Sequence, residues 1–181
     1  MVDTLRQEGS DNTEIEVKSA LGGYPRSVVK SLSSFANRPG GGTILLGLSE
    51  DGGFSVEELA DPAGLAQSLV DQARKGLDPP LLPDVEVARF EGGNVVIARI
   101  PELAPSLKPC RVRATGKAYV RGYDGDHTIS EQEEEVCREE YLASLVALLK
   151  QLLPRVLGEH DRVRPGQRAG RTRRERGAEG I

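Results

Sequence analysis

No apolar run in this sequence of 181 residues approaches the roughly 18 that a membrane-spanning helix needs. The opening residues, MVDTLRQEGS, lack the basic and then hydrophobic regions of a secretory leader, so the chain is expected in the cytoplasm with no membrane partner. Cysteine is scarce: Cys110 and Cys137 lie far apart and fit neither a zinc spacing nor a redox CxxC pair, and both are expected reduced, small and partly buried. His127 and His160 have no nearby Ser, Cys or metal-spaced partner, which argues against catalysis by either. A positive balance is missing as well. The formal charge of −4 and a pI near 5.4 exclude a protein that coats nucleic acid over its whole surface.

What remains is ordinary globular material. With 38% hydrophobic and 29% charged residues, the chain can bury one core of usual size, so one domain plus a tail is expected. Charge is unevenly spread: from Pro154 to Ile181 eight arginines stand against four acids, and this Arg- and Gly-rich composition is that of disorder.

In DNTEIEVK, strand alternation puts Ile15 and Val17 on one face and Glu14, Glu16 and Lys18 on the other. LGGYP makes a turn, and PRSVVKSLSSFAN follows as a helix with Val28, Leu32 and Phe35 at helical spacing. Arg38-Pro39-Gly40-Gly41-Gly42 ends it, the glycines letting the backbone turn tightly, and TILLGL reads as a buried strand. A second amphipathic helix is expected from Pro62 to about Lys75, then strands at 85–90 and 94–100 joined by Glu91-Gly92-Gly93. CRVRA and AYVRG form a short strand pair hinged at Thr115-Gly116-Lys117. Ser130 starts a last helix with Glu131 to Glu135 in its first turn and a stripe of Leu142, Leu145, Leu149 and Leu152. The order implies an α+β fold, a mixed sheet with helices packed mainly on one side plus a C-terminal helix. The expected divisions are 1–129, 130–153 for the amphipathic helix and 154–181 for the tail.

EIEVK, a helix ending in SFAN, PGGGTILLGLSEDG, IPELAPSLKPCRV and AYVRGYDG, in that order, resemble the Schlafen AlbA-type DNA-binding domain from about Leu5 to Ile129. The version it is most similar to occurs in bacterial proteins described as transcriptional regulators or ATP-binding proteins. There the domain usually precedes a helix-turn-helix or ATPase-like domain. After Leu153 no second core pattern is visible, and Gly40 to Thr43 lacks the GxxxxGK[ST] spacing of a phosphate loop, so the chain reads as the recognition domain alone.

Some Schlafen members are metal-dependent nucleases, and the resemblance carries their acids onto Asp11, Glu16 and one of Glu50 or Asp51, with Asp11, Glu16 and Glu50 as ligands of Mg²⁺ or Mn²⁺. Asp11 is shorter than the family's glutamate, and Ser49 stands where the family often has an acid. Turns would explain Asp11, Glu50 and Asp51 equally, and an ion pair would explain Glu16. Lys18 either contacts phosphate or neutralises Glu16.

Lys108, Arg111, Arg113, Lys117 and Arg121 concentrate positive charge in an otherwise acidic body, with Tyr119 and Tyr123 beside them for base stacking. The bland alternative pairs these arginines with Glu131 to Glu135. Three functions follow: a DNA- or RNA-binding module of a bacterial transcriptional regulator, needing no cofactor; a Mg²⁺- or Mn²⁺-dependent endonuclease; or a protein-interaction module that forms a homodimer through the leucine-striped helix.

Overall fold

The computed structural model describes residues 1–160. The expectation for the arginine-rich tail therefore falls, from residue 161 onward, outside the described residues. The chain divides into two units, residues 1–142 and 143–181.

The first unit is built on a four-stranded mixed sheet in the order β1 (Ile15–Lys18), β2 (Gly42–Leu46), β7 (Gly93–Ile100), β6 (Asp84–Phe90). β1 and β2 run parallel because helix α2 (Val28–Asn37) returns the chain between them, whereas β2–β7 and β7–β6 are antiparallel. The TILL run is continuously apolar because both faces of the sheet are covered. Ile44 and Leu46 pack with Leu32 and Phe35 of α2 and with Leu65 and Leu69 of α3 (Pro62–Lys75). Leu45 faces the other way, into a second cluster with Leu5, Val17, Leu48, Phe54 and Val95.

That second face is closed by two elements with little sequence signal. Helix α1 (Val2–Glu8) contributes a single fully buried residue, Leu5. Gly47, with φ of 99°, turns the chain out of β2 into a two-residue ladder, β3 (Leu48–Ser49) with β4 (Ser55–Val56). At the other end of β2, Gly41 has φ of 69°, and a Cβ there would sit 2.1 Å from the Ile100 carbonyl oxygen, so the glycines after α2 serve close backbone packing. The β6–β7 hairpin turns at Glu91 and Gly92, both with positive φ, as its two-residue loop requires.

The expected pairing of CRVRA with AYVRG is corrected. β8 (Arg111–Val112) pairs with β5 (Leu77–Asp78) and touches the following strand only through the Arg111–Ala118 bridge. β9 (Tyr119–Gly122) instead pairs with β10 (Gly125–Thr128). The two part because α2 holds β9: the Tyr119 N–H donates to Ser33 Oγ (3.1 Å), and Asn37 Nδ2 donates to the Tyr119 carbonyl (2.9 Å). Asn37 also donates to the Cys110 carbonyl (3.1 Å) and accepts from the Cys110 N–H (2.6 Å). Cys110 is buried, which pushes its thiol up to about 12.

Helix α4 (Glu131–His160) opens with a capping box: the Ser130 N–H and hydroxyl both donate to Glu133 Oε2, at 2.7 and 2.8 Å. It runs past residue 153, its expected end, to His160. Among the described residues no helix is long and apolar enough to cross a membrane.

Asn37→Ala would strand the buried Cys110 N–H and the Tyr119 carbonyl, while the Cys110 carbonyl keeps the Ser33 hydroxyl (2.8 Å). The substitution should lower the urea midpoint with an unchanged slope and cost about 2–4 kcal/mol by equilibrium unfolding.

Candidate functional site

β1 lies in parallel register with β2, pairing Glu16 with Ile44, so Glu16 and Lys18 face α2 rather than solvent. Glu16 is only 3% exposed. The cation that meets it comes from far along the chain: Arg121, on β9, is 9% exposed as a residue and lays its guanidinium against Glu16 Oε2. Arg121 Nη2 also donates to Asp11 Oδ2 (2.8 Å) and to the Asn12 carbonyl (3.1 Å). Asp126, cross-strand from Arg121 on β10, approaches Nη1 at 3.4 Å. Two serines one helical turn apart hold Asp126 in place, Ser31 Oγ donating to Oδ2 (2.8 Å) and Ser34 Oγ to Oδ1 (2.6 Å). Lys18 Nζ completes the cluster at 2.5 Å from Glu16 Oε1.

Burial, with Asp11 close by, pushes the Glu16 carboxyl above its ordinary range, against the pull of Lys18 and Arg121. Burial alone would lower Arg121, but Glu16, Asp11 and Asp126 outweigh it and raise its pKa. The guanidinium therefore stays charged, saturated by acceptors from three separate chain segments.

These groups line a cleft of about 280 Å³ that also admits Lys30 and Glu50. The structure thus brings together Asp11, Glu16, Glu50, Lys18 and Arg121, whereas Asp51 is not among the lining residues. The acids do not fit a divalent ion in this arrangement. Arg121 fills the space between Asp11 and Glu16 that a cation would take, and among the described residues no group of three or more His, Cys, Asp or Glu is placed to hold a metal. Sequence reasoning missed Ser31, Ser34, Asp126 and Lys30. The serine pair on the helical face of SLSS was the signal available for the first two.

The cations expected to form one ridge are separated. Lys108, with a side chain 10% exposed, pairs with Glu102 (2.6 Å). Tyr119 is buried beneath Lys30, whose Nζ lies 5.7 Å from the ring centre, so it presents no face for stacking, whereas Tyr123 is 92% exposed. Arg111, Arg113 and Lys117 stay together on one turn, closed by the Val112 N–H donating to the Lys117 carbonyl (2.8 Å). Arg111 pairs with Glu134 of α4 (2.6 Å), one of the acids the bland alternative named, and Arg113 with Asp78 (3.3 Å). Lys117 is exposed.

The family model described as Schlafen, AlbA_2 matches residues 11–130. No curated protein matches the chain. Among solved structures, the N-terminal domain of a RecG-related protein from Nitrosomonas europaea aligns with a TM-score of 0.56 at 25% identity, covering 72% of this chain and 87% of that one. A protein from Corynebacterium diphtheriae aligns with a TM-score of 0.49 at 18% identity, over 71% of this chain and 25% of that one.

Arg121→Met would leave the buried Glu16, and Asp126 beside it, without their guanidinium and should cost about 3–5 kcal/mol at neutral pH. The Glu16 carboxyl is already raised in the folded chain, and losing Arg121 raises it further. Folded Glu16 then holds its proton over a range where the unfolded chain has lost it, so stability falls as pH rises through that range. The deficit should shrink as pH drops toward the ordinary carboxylate value, read by urea unfolding at pH 7.5 and 5.

Proposed function

This chain belongs to the Schlafen, AlbA_2 family, and we propose that it is a nucleic-acid-binding module, with DNA as the first candidate, of a transcriptional regulator. The solved relative from Nitrosomonas is named for its relation to the ATP-dependent DNA helicase RecG, which supports a role on nucleic acid. The observation that carries the reading is the turn bearing Arg111, Arg113 and Lys117. Arg111 and Arg113 meet their carboxylate partners in partly exposed ion pairs, each worth about 0–1 kcal/mol, so a phosphate can displace Glu134 or Asp78 at little cost while the bonds to the Gly116 and Leu77 carbonyls hold the side chains in place. Arg121 cannot make that exchange, because Glu16 is buried with it and Asp11 and the Asn12 carbonyl hold its other nitrogen. Lys18 and Lys30 at the cleft mouth and the exposed Tyr123 provide further contacts, phosphate for the lysines and a base face for the tyrosine. Recognition of this kind is sequence-tolerant and needs no cofactor.

Fluorescence anisotropy with labelled duplex DNA, single-stranded DNA and RNA tests this directly. Arg111→Ala with Arg113→Ala should weaken binding to all sequences alike and reduce the dependence of log affinity on log salt by about 2. Failure of the wild type to bind any of the three at low salt would overturn the reading.

The alternative implied by the family, a Mn²⁺- or Mg²⁺-dependent endonuclease using Asp11, Glu16 and Glu50 or Asp51, draws support from the convergence of the first three on one cleft. It requires Arg121 to give up its place between the carboxylates. Cleavage of labelled RNA or single-stranded DNA that needs Mn²⁺ and vanishes in Glu16→Gln would favour it over simple binding.

A further inference from the structure

Two cavities lie where the start of α4 meets the body of the first unit, and neither shares a lining residue with the cleft of Glu16 and Arg121. The smaller, about 140 Å³, is lined by Lys108, Arg111, Glu134 and Arg138 with the hydroxyl-bearing Ser106 and Tyr141. The larger, about 420 Å³, has apolar walls from Pro39, Val120, Ile129 and Val136. Pro105 and Lys108 line both, so the two adjoin.

Charge makes them unlike. Three cations face the smaller cavity against one carboxylate, Glu134, because Glu102, the partner of Lys108, lines the larger cavity and Glu135, the partner of Arg138, lines neither. A net two positive charges remain. Nor are the cations saturated: in the described contacts Lys108 uses one of its three N–H donors, Arg111 two of its five and Arg138 one.

A terminal phosphate monoester carries about 1.5 to 2 negative charges at neutral pH and offers three acceptor oxygens, whereas a diester inside a strand carries about one. The smaller cavity therefore matches the end of a strand better than its interior. The larger one falls within the roughly 300–1,000 Å³ of small-ligand sites and gives an unstacked base an apolar surround, with Gln132 beside it for the polar edge. Arg111 belongs also to the turn of Arg113 and Lys117, so a strand bound across that turn has its end beside the cavity.

We propose that these adjoining cavities hold the phosphorylated end of a nucleic-acid strand, the terminal phosphate among Lys108, Arg111 and Arg138 and the terminal base within the apolar walls. This deepens the nucleic-acid-binding reading and rests on it.

Anisotropy on the full chain compares one internally labelled single-stranded sequence in four forms: 5′-phosphorylated, 3′-phosphorylated, hydroxyl at both ends, and circular. One of the phosphorylated strands should bind at least tenfold tighter than the circle. Arg138 is 63% exposed and lies outside the binding turn, so Arg138→Ala should keep the fold, remove that advantage and leave affinity for the circle unchanged. Val136→Glu, which puts a carboxylate into the apolar cavity, should do the same. Equal affinity for all four forms overturns the proposal and leaves nucleic-acid binding standing, whereas no binding of any form overturns both. Arg138→Ala weakening circle and phosphorylated strand alike also overturns it, because the residue would then be one more contact to internal phosphates. Competition by a free mononucleotide as strong as that by the unlabelled phosphorylated strand overturns the assignment to a strand end.

Discussion

One guanidinium buried among carboxylates organises the first unit. Arg121 joins the segment before β1, β1 itself and the β9–β10 hairpin, elements that share no backbone ladder with one another across the cluster. Such a cluster costs a great deal to desolvate and gains it back only when every partner is in position. Its value is therefore less in net stability than in fixing where β9 must lie. The serines of α2 that fasten Asp126 and the Asn37 amide that holds the Cys110 and Tyr119 backbones act to the same end. Together they pin the late strands to the second helix.

The cluster also divides the cations into two kinds. Arg121 is committed to the fold, while Arg111, Arg113 and Lys117 sit on a turn whose ion pairs water can reach. Clustering in sequence is blind to this difference. In the segment from Lys108 to Arg121, alternate residues of successive strands go to opposite environments, and only the register of β9 against α2 and β10 decides which side chain is sealed.

The legible parts of the fold were those with strong local patterns. Helix α3 was readable to both ends, because Asp61 caps it, Pro62 opens it and the apolar spacing persists to Ala73. The β6–β7 hairpin announced itself through Glu91-Gly92-Gly93, and α4 through Ser130 and the glutamates behind it. Helix α1 was hidden, since one buried leucine leaves no periodicity to detect. Within the site, the likeness of EIEVK to its family pointed to Asp11 and Glu16, and Glu50 arrived in the same cleft. Asp126 and Lys30 had no such pattern, and the role of Arg121 depends on a contact across more than a hundred residues, for which a single sequence holds no local cue.

The parallel pairing of β1 with β2 can form as soon as β2 has been made, but the cation for Glu16 is encoded near the end of the sheet-bearing unit. On the ribosome, Glu16 and Asp11 emerge long before Arg121 and remain hydrated in the nascent chain. The final closure of this face thus waits for synthesis to pass β10, and a ribosome that stops short releases a chain whose second helix has nothing to hold on that side.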